Sequence, residues 1–279
     1  VGRPPVEFSG REPQESEDVS ETMAEPEPAG SGAGPAGDPL AEAVATVEGA
    51  RKAAVGLKLL GGLAVRVLCP EFPPRARHGQ DIDFACLGKE RTQVAVFLES
   101  AGFEPDRRFN RLNGHQQMYF TSPSGRPVDV IVDRLTMCHQ LDFRKSFHRQ
   151  PLTLDVVDVL LSKAQIVELN EKDAHDIVHL LSRYRPGDGA EAIDRRRFAE
   201  VMGSDWGWWR TTTKNLAKLP ALVAARPELV PPGARHDPLE VAAELLELAD
   251  AAPKSVQWRL RAVVGERVRW YELPEEVAH

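Results

Sequence analysis

The chain has 279 residues, 42% of them hydrophobic, and a formal charge of −7. That length suits two domains better than one, and no apolar run approaches the roughly 18 residues of a membrane span, so no membrane partner is expected. The acidity is local: positions 1–39 set Arg3 and Arg11 against nine acidic residues, leaving 33 basic and 33 acidic residues in the remainder, a balance that does not exclude a nucleic-acid partner.

Residues 1–39, rich in Glu, Pro, Gly, Ser and Ala, read as a disordered acidic tail, because such a segment buries too little apolar surface to offset its backbone entropy. Order is expected from Leu40, with a helix from Ala41 to about Lys52, a short strand over Gly56–Leu60 and a short helix over Gly62–Cys69 that stops before Pro70. A strand over Asp81–Cys86, a helix over Glu90–Ala101 and a strand over Phe103–Asn110 follow. Asn113-Gly114 signals a hairpin into a strand over Gln116–Thr121, and Ser124-Gly125 turns into Val128–Val132. The pattern predicts an α/β (α+β) core over 40–150, a mixed sheet with flanking helices. A helical domain over 151–279 follows, with apolar helical spacing over Asp155–Leu169, Lys172–Arg183, Ala190–Met202, Leu239–Ala251 and Val256–Val268.

Cys69, Cys86 and Cys138 lie far apart and form no C-x-x-C pair, so neither a disulfide framework nor a zinc site is expected. With no basic-then-apolar leader at the start, the expected location is cytoplasmic.

The chemistry gathers around acidic residues on apolar strands. Asp81 and Asp83 flank Ile82, and alternate side chains on a strand share a face. Two acids there repel unless a cation sits between them, and Mg²⁺ takes oxygen ligands of this kind; a solvated strand end is the plain alternative. Asp129 interrupts the apolar run Pro127–Val132, where an unpaired charge would cost several kcal/mol, and is a better third ligand than Asp133 at the strand's exit. With two cations bridged by three carboxylates, one would activate an attacking hydroxyl and the other would neutralise phosphates. Gly61-Gly62 ahead of a short helix let a backbone approach phosphate closely, although a tight turn explains paired glycines equally well.

Lys163 lies on the apolar helix opening the second half, where it either reaches phosphates or snorkels to water. Asp173, Asp176 and His179 are spaced to line one helix face. His175 and His179 lack the Glu of a His-Glu-x-x-His zinc site and read as packing or surface residues, and Trp206, Trp208 and Trp209 as core or interface.

Together Gly61-Gly62, Arg77-x-x-x-Asp81-Ile82-Asp83-Phe84, the lone strand Asp129, Lys163-Ala164 and Lys172-Asp173-x-x-Asp176 resemble the nucleotidyltransferase superfamily, nearest its AbiEii-type (MenT-like) toxin branch, over roughly residues 45–185. The resemblance implies a minimal nucleotidyltransferase sheet with a helical domain. It also implies transfer of a nucleoside monophosphate from NTP to an acceptor hydroxyl, with two Mg²⁺ ions held by Asp81, Asp83 and Asp129. Gly61 and Gly62 would hold the triphosphate, Lys163 would reach it, Arg77 would buttress the metal loop or contact phosphate, and Asp176 would be the second-domain acid. The implied acceptor is a tRNA 3′ end, tracked by clusters such as Arg107-Arg108-Arg111 and Arg195-Arg196-Arg197, with an antitoxin as restraining partner. This chain has Gly62 where the toxin branch usually has Ser, and Gly79 where it has Ser or Thr. Paired glycines also occur in aminoglycoside nucleotidyltransferases, so a small hydroxylated acceptor stands beside tRNA. A non-catalytic nucleotide-binding protein of the same fold is the reading from a different class.

Overall fold

The computed structural model describes residues 37–73 and 81–272. The tail reading of 1–39 therefore lies outside the described residues up to position 36. Asp38 caps the first helix, α1 (Pro39–Lys52), accepting the Leu40 N–H at 3.2 Å, and the buried Arg126 donates to the Gly37 carbonyl at 2.6 Å.

After α1 come β1 (Leu57–Leu59), α2 (Gly61–Leu68), β2 (Ile82–Cys86), α3 (Arg91–Ser100), β3 (Glu104–Pro105), α4 (Arg107–Asn113), β4 (Gln117–Thr121) and β5 (Pro127–Val132). The strands form one mixed sheet in the order β1-β2-β5-β4-β3, with β2 and β5 parallel and the other pairs antiparallel. Alternation sorts its two faces. Ile82, Phe84, Val128, Val130, Met118 and Phe120 are buried on one, while Asp83, Asp129, Gln117 and Tyr119 occupy the other.

The expected strand over Phe103–Asn110 is corrected: only Glu104–Pro105 pairs, with Thr121 and Phe120. Asp106 then accepts the Phe109 N–H at 2.8 Å and starts α4 instead. An aspartate that satisfies a free helix N–H outweighs the weak strand preference of the residues after it. Asn113-Gly114 accordingly turns no hairpin: Asn113 ends α4, and the Gly114 N–H bonds to the Asn110 carbonyl at 2.9 Å.

Beyond the sheet come a hairpin of β6 (Arg134–Thr136) and β7 (Gln140–Asp142), then α5 (Val156–Ala164) and α6 (Glu171–Arg183). The short parallel pair β8 (Pro186–Gly187) and β9 (Ile193–Asp194) leads to α7 (Arg195–Ser204), α8 (Trp206–Leu216), α9 (Leu219–Ala225), α10 (Pro238–Ala251) and α11 (Val256–Val264). The helix expected from Ala190 begins only at Arg195, because Asp194 caps it through the Arg196 and Arg197 N–H groups. Helix α5 stops five residues before the expected Leu169, and α11 four before Val268.

One hydrophobic cluster runs through both halves, from Ala43 and Leu57 to Leu245 and Ala252. Leu59 on β1 donates to the Leu152 carbonyl at 2.8 Å and accepts from the Leu154 N–H at 2.9 Å, so the chain entering the helical half lines the outer edge of the sheet. Trp206 and Trp208 are buried, and Cys69, Cys86 and Cys138 are buried free thiols. Among the described residues no helix is long and apolar enough to cross a membrane.

Candidate active site

The parallel register of β2 on β5 sets Asp83 directly opposite Asp129. Neighbouring strands lie about 4.8 Å apart, so two carboxylates leave the same face side by side. Their field is visible in Asp83, whose carboxyl is pushed up from 3.8 to about 6, first by burial and then by the Asp129 charge, with Lys163 opposing and Asp81 adding. Asp81 stands exposed one residue ahead of β2.

Gly61 is required where it stands. Its φ is +68°, a region side chains disfavour, and a Cβ there would sit 2.0 Å from the Asp83 Oδ2. The first residue of α2 therefore presses its backbone against one of the two carboxylates, and Gly62 follows half-buried in the same turn.

Lys163 comes from α5 and is held by two carboxylates of the neighbouring helix. Its Nζ lies 3.1 Å from the Asp173 Oδ1 and 3.1 Å from the Asp176 Oδ2, both on α6. Burial disfavours its charge, but those two carboxylates more than compensate and hold its pKa above the ordinary lysine value, so the ammonium stays charged. Asp173 is steadied by Asn170, which caps α6 and donates its side-chain amide at 2.8 Å.

Two residues at the site were not singled out from the sequence. Gln117 donates its amide to the Asp129 Oδ1 at 2.5 Å. Tyr119 pairs with Asp129 across β4 and β5, and its phenol is raised by burial and then by the Asp129 and Asp81 charges. The signal was available: counting outward from the Ser124-Gly125 turn pairs Tyr119 with Asp129.

Asp83 and Asp129 thus share one face of the sheet, with the Gly61 backbone against Asp83 and the charges of Asp81 and Lys163 felt there; Asp176 is linked to them through Lys163, and Arg77 lies outside the described residues. Asp133 points elsewhere, accepting the Gly88 N–H at 2.9 Å. His175 and His179 lie against each other with ring centroids 3.9 Å apart and planes tilted by 44°. Among the described residues no group of three or more His, Cys, Asp and Glu is arranged to hold a metal ion. Asp83 and Asp129 are a facing pair, and Asp81 does not close them into a three-ligand cage. In donor chemistry the pair suits a hard divalent cation, since both ligands are oxygens and their mutual repulsion is what a cation would relieve.

No family model and no curated protein matches the chain. Solved structures with a similar chain path include an antigenic nucleotidyltransferase-like protein from Paracoccidioides brasiliensis, 16% identical with a TM-score of 0.37, covering 77% of this chain and 94% of that one. Another is a candidate nucleotidyltransferase from H. pylori, 12% identical with a TM-score of 0.33, covering 80% and 94%. Both scores are below 0.5, so the functional argument rests on the site residues.

Proposed function

We propose that the protein is a Mg²⁺-dependent nucleotidyltransferase that moves a nucleoside monophosphate from NTP to an acceptor hydroxyl. The observation that carries this reading is the Asp83–Asp129 register, with the Gly61 backbone against Asp83 and the Lys163 ammonium close enough to bias its ionisation. Asp83 and Asp129 would hold magnesium, with Asp81 adding negative charge beside them, and the metal together with oxygens of the triphosphate would neutralise charge and lower the pKa of the acceptor hydroxyl.

The protein's own contribution is positioning and electrostatics. The acceptor oxygen forms a bond to the α-phosphorus, the bond from that phosphorus to the α,β-bridging oxygen breaks, and pyrophosphate leaves. The hydroxyl proton passes to the carboxylate pair, in which Gln117 orients Asp129. Lys163, kept charged by Asp173 and Asp176, faces the triphosphate, and the N–H groups opening α2 at Gly61 and Gly62 take phosphate oxygens. The favoured acceptor is a tRNA 3′ end, and in that setting a toxin-like activity restrained by an antitoxin follows.

The test is incubation with each NTP, Mg²⁺ and either total tRNA or a panel of small hydroxylated compounds, with pyrophosphate monitored. Asp83→Asn and Asp129→Asn, which keep shape and remove charge, are each expected to lower turnover by about 10²–10³-fold or more. In the same buffer Mg²⁺ should raise the melting temperature of the wild type and not of Asp83→Asn. Undiminished pyrophosphate release by either variant overturns the assignment.

A further inference from the structure

On the opposite face of β4 from Asp129 lies a pocket of about 410 Å³ between α3 and α4. Met118, Phe120, Ala95 and Pro105 give it an apolar floor, and Arg91, Arg107, Arg111 and His115 stand around it. Arg107 and Arg111 are one turn apart on α4, about 6 Å along its axis, and Arg91 opens α3 across from them. Glu99 is the one acid in the lining. Its contact with Arg107, 3.3 Å between exposed side chains, is of a kind that contributes little and is screened by salt.

Most of this positive charge is not used by the fold. Several arginines elsewhere are held in ion pairs: Arg126 with Glu42, Arg149 with Asp155 and Asp194, Arg197 with Asp158. Among the described residues, Arg91 and Arg111 have no carboxylate partner. Guanidinium groups around an apolar floor fit one ligand chemistry well, phosphates at the rim and a base against the floor.

The pocket is joined to the candidate active site through α4. Asn110 on its lining donates to the Tyr119 carbonyl at 3.0 Å and accepts the Tyr119 N–H at 2.6 Å, and Tyr119 is the register partner of Asp129.

We propose that this pocket binds the sugar–phosphate backbone of a single-stranded polynucleotide. Its affinity is dominated by phosphate contacts, with little sequence preference.

The test is fluorescence anisotropy of labelled single-stranded RNA and DNA, each about 12 nucleotides long, across a range of salt concentrations. Proteins compared are the wild type, Arg91→Ala/Arg111→Ala, Arg111→Ala and Arg111→Glu. The alanine pair should bind at least about tenfold more weakly, with the slope of log affinity against log salt reduced by roughly 2. Arg111→Glu should weaken binding further than Arg111→Ala. The substituted arginines are exposed, so melting temperatures should be unchanged. Tighter binding of RNA than DNA, or equal binding, supports the proposal and identifies whether the 2′-hydroxyl is read. Failure of the wild type to bind either strand, or an alanine pair with unchanged affinity and salt slope, overturns it. Strand binding that depends on these arginines, without turnover of any NTP, would sink the transferase reading and leave the pocket assignment standing.

Discussion

Asp83 is held where its charged form is penalised twice, by burial and by the carboxylate of Asp129 beside it. The folded chain therefore keeps the Asp83 proton up to about pH 6, while the unfolded chain releases it near the ordinary 3.8. Stability contributed by the protonated form is present at low pH and lost as pH rises through about 6. Between pH 4 and pH 7 the loss amounts to about 2 kcal/mol. Asp83→Asn removes the charge without changing the shape. At pH 7 it is expected to melt roughly 4–8 °C above the metal-free wild type, with the gap closing toward pH 4. Calorimetry of both proteins at the two pH values checks this, and equal melting temperatures at pH 7 would contradict it. A carboxylate whose removal stabilises the fold belongs to function rather than to folding.

Among the elements, the β6–β7 hairpin is fastened to the helical half in part through a neutral histidine. The His139 N–H donates to the Gln165 Oε1 at 3.1 Å, its Nε2 lies 2.8 Å from the Thr211 Oγ1 on α8, and its ring packs 5.1 Å from that of Trp208. Burial pushes its pKa down to about 4, with Asp205 pulling weakly the other way. Here the sign is opposite to that of Asp83. The unfolded chain takes up a proton near 6.5, so stability is full above that pH and is lost as pH falls toward 4. From pH 7 to pH 5 the expected loss is about 2 kcal/mol. Replacing His139 by Gln removes the titration, so the unfolding free energy of the wild type relative to the variant, measured with urea, should fall by about 2 kcal/mol between pH 7 and pH 5. A constant difference would show that the ring does not titrate on unfolding.

The same scale shows why part of the fold was readable and part was not. Where burial alternates, as in Asp81–Phe84 and Val128–Val132, strands and the shared face of Asp83 and Asp129 could be read directly, because a one-residue shift would invert every side chain. Arg107–Asn113 defeated the reading, since its helix has no buried residue and is defined by the Asp106 cap and by Asn110 bonded to the edge of β4. Trp206–Leu216 was seen only as a tryptophan cluster, and its helix is set by the Asp205 cap and by packing with α5 and α10 that no local pattern announces. At the site, Lys163 could be located but not assigned. Its environment depends on Asp173 and Asp176 arriving from a separate helix.

At the scale of the whole molecule, the sheet half and the helical half complete each other. Helix α5 is buried on almost every side, with Val156, Val157, Val159, Leu160, Leu161 and Ala164 at 1% exposure or less, and it packs against both α2 and α6. The segment Leu152–Leu154 satisfies the backbone of Leu59 at the edge of β1. A charged group crosses the same boundary: Arg197 on α7, paired with Asp158 on α5, donates to the Asp142 carbonyl on β7. A chain ending at residue 150 would therefore expose the apolar side of α2, where Leu63, Ala64, Val65 and Leu68 are now buried, and leave the β1 edge unpaired. Exposing that surface costs several kcal/mol, against a total stability of about 5–15 kcal/mol for a typical protein. Such a fragment is expected to show no cooperative thermal transition and to aggregate on concentration. The partner fragment, from 151 onward, would lose the same contacts from the other side. Mixing the two halves should restore a cooperative transition if the shared core is the main source of stability. A 1–150 fragment that melts cooperatively alone would show instead that the sheet half is self-sufficient, with the helical half serving to deliver Lys163 and its two carboxylates to a preformed site.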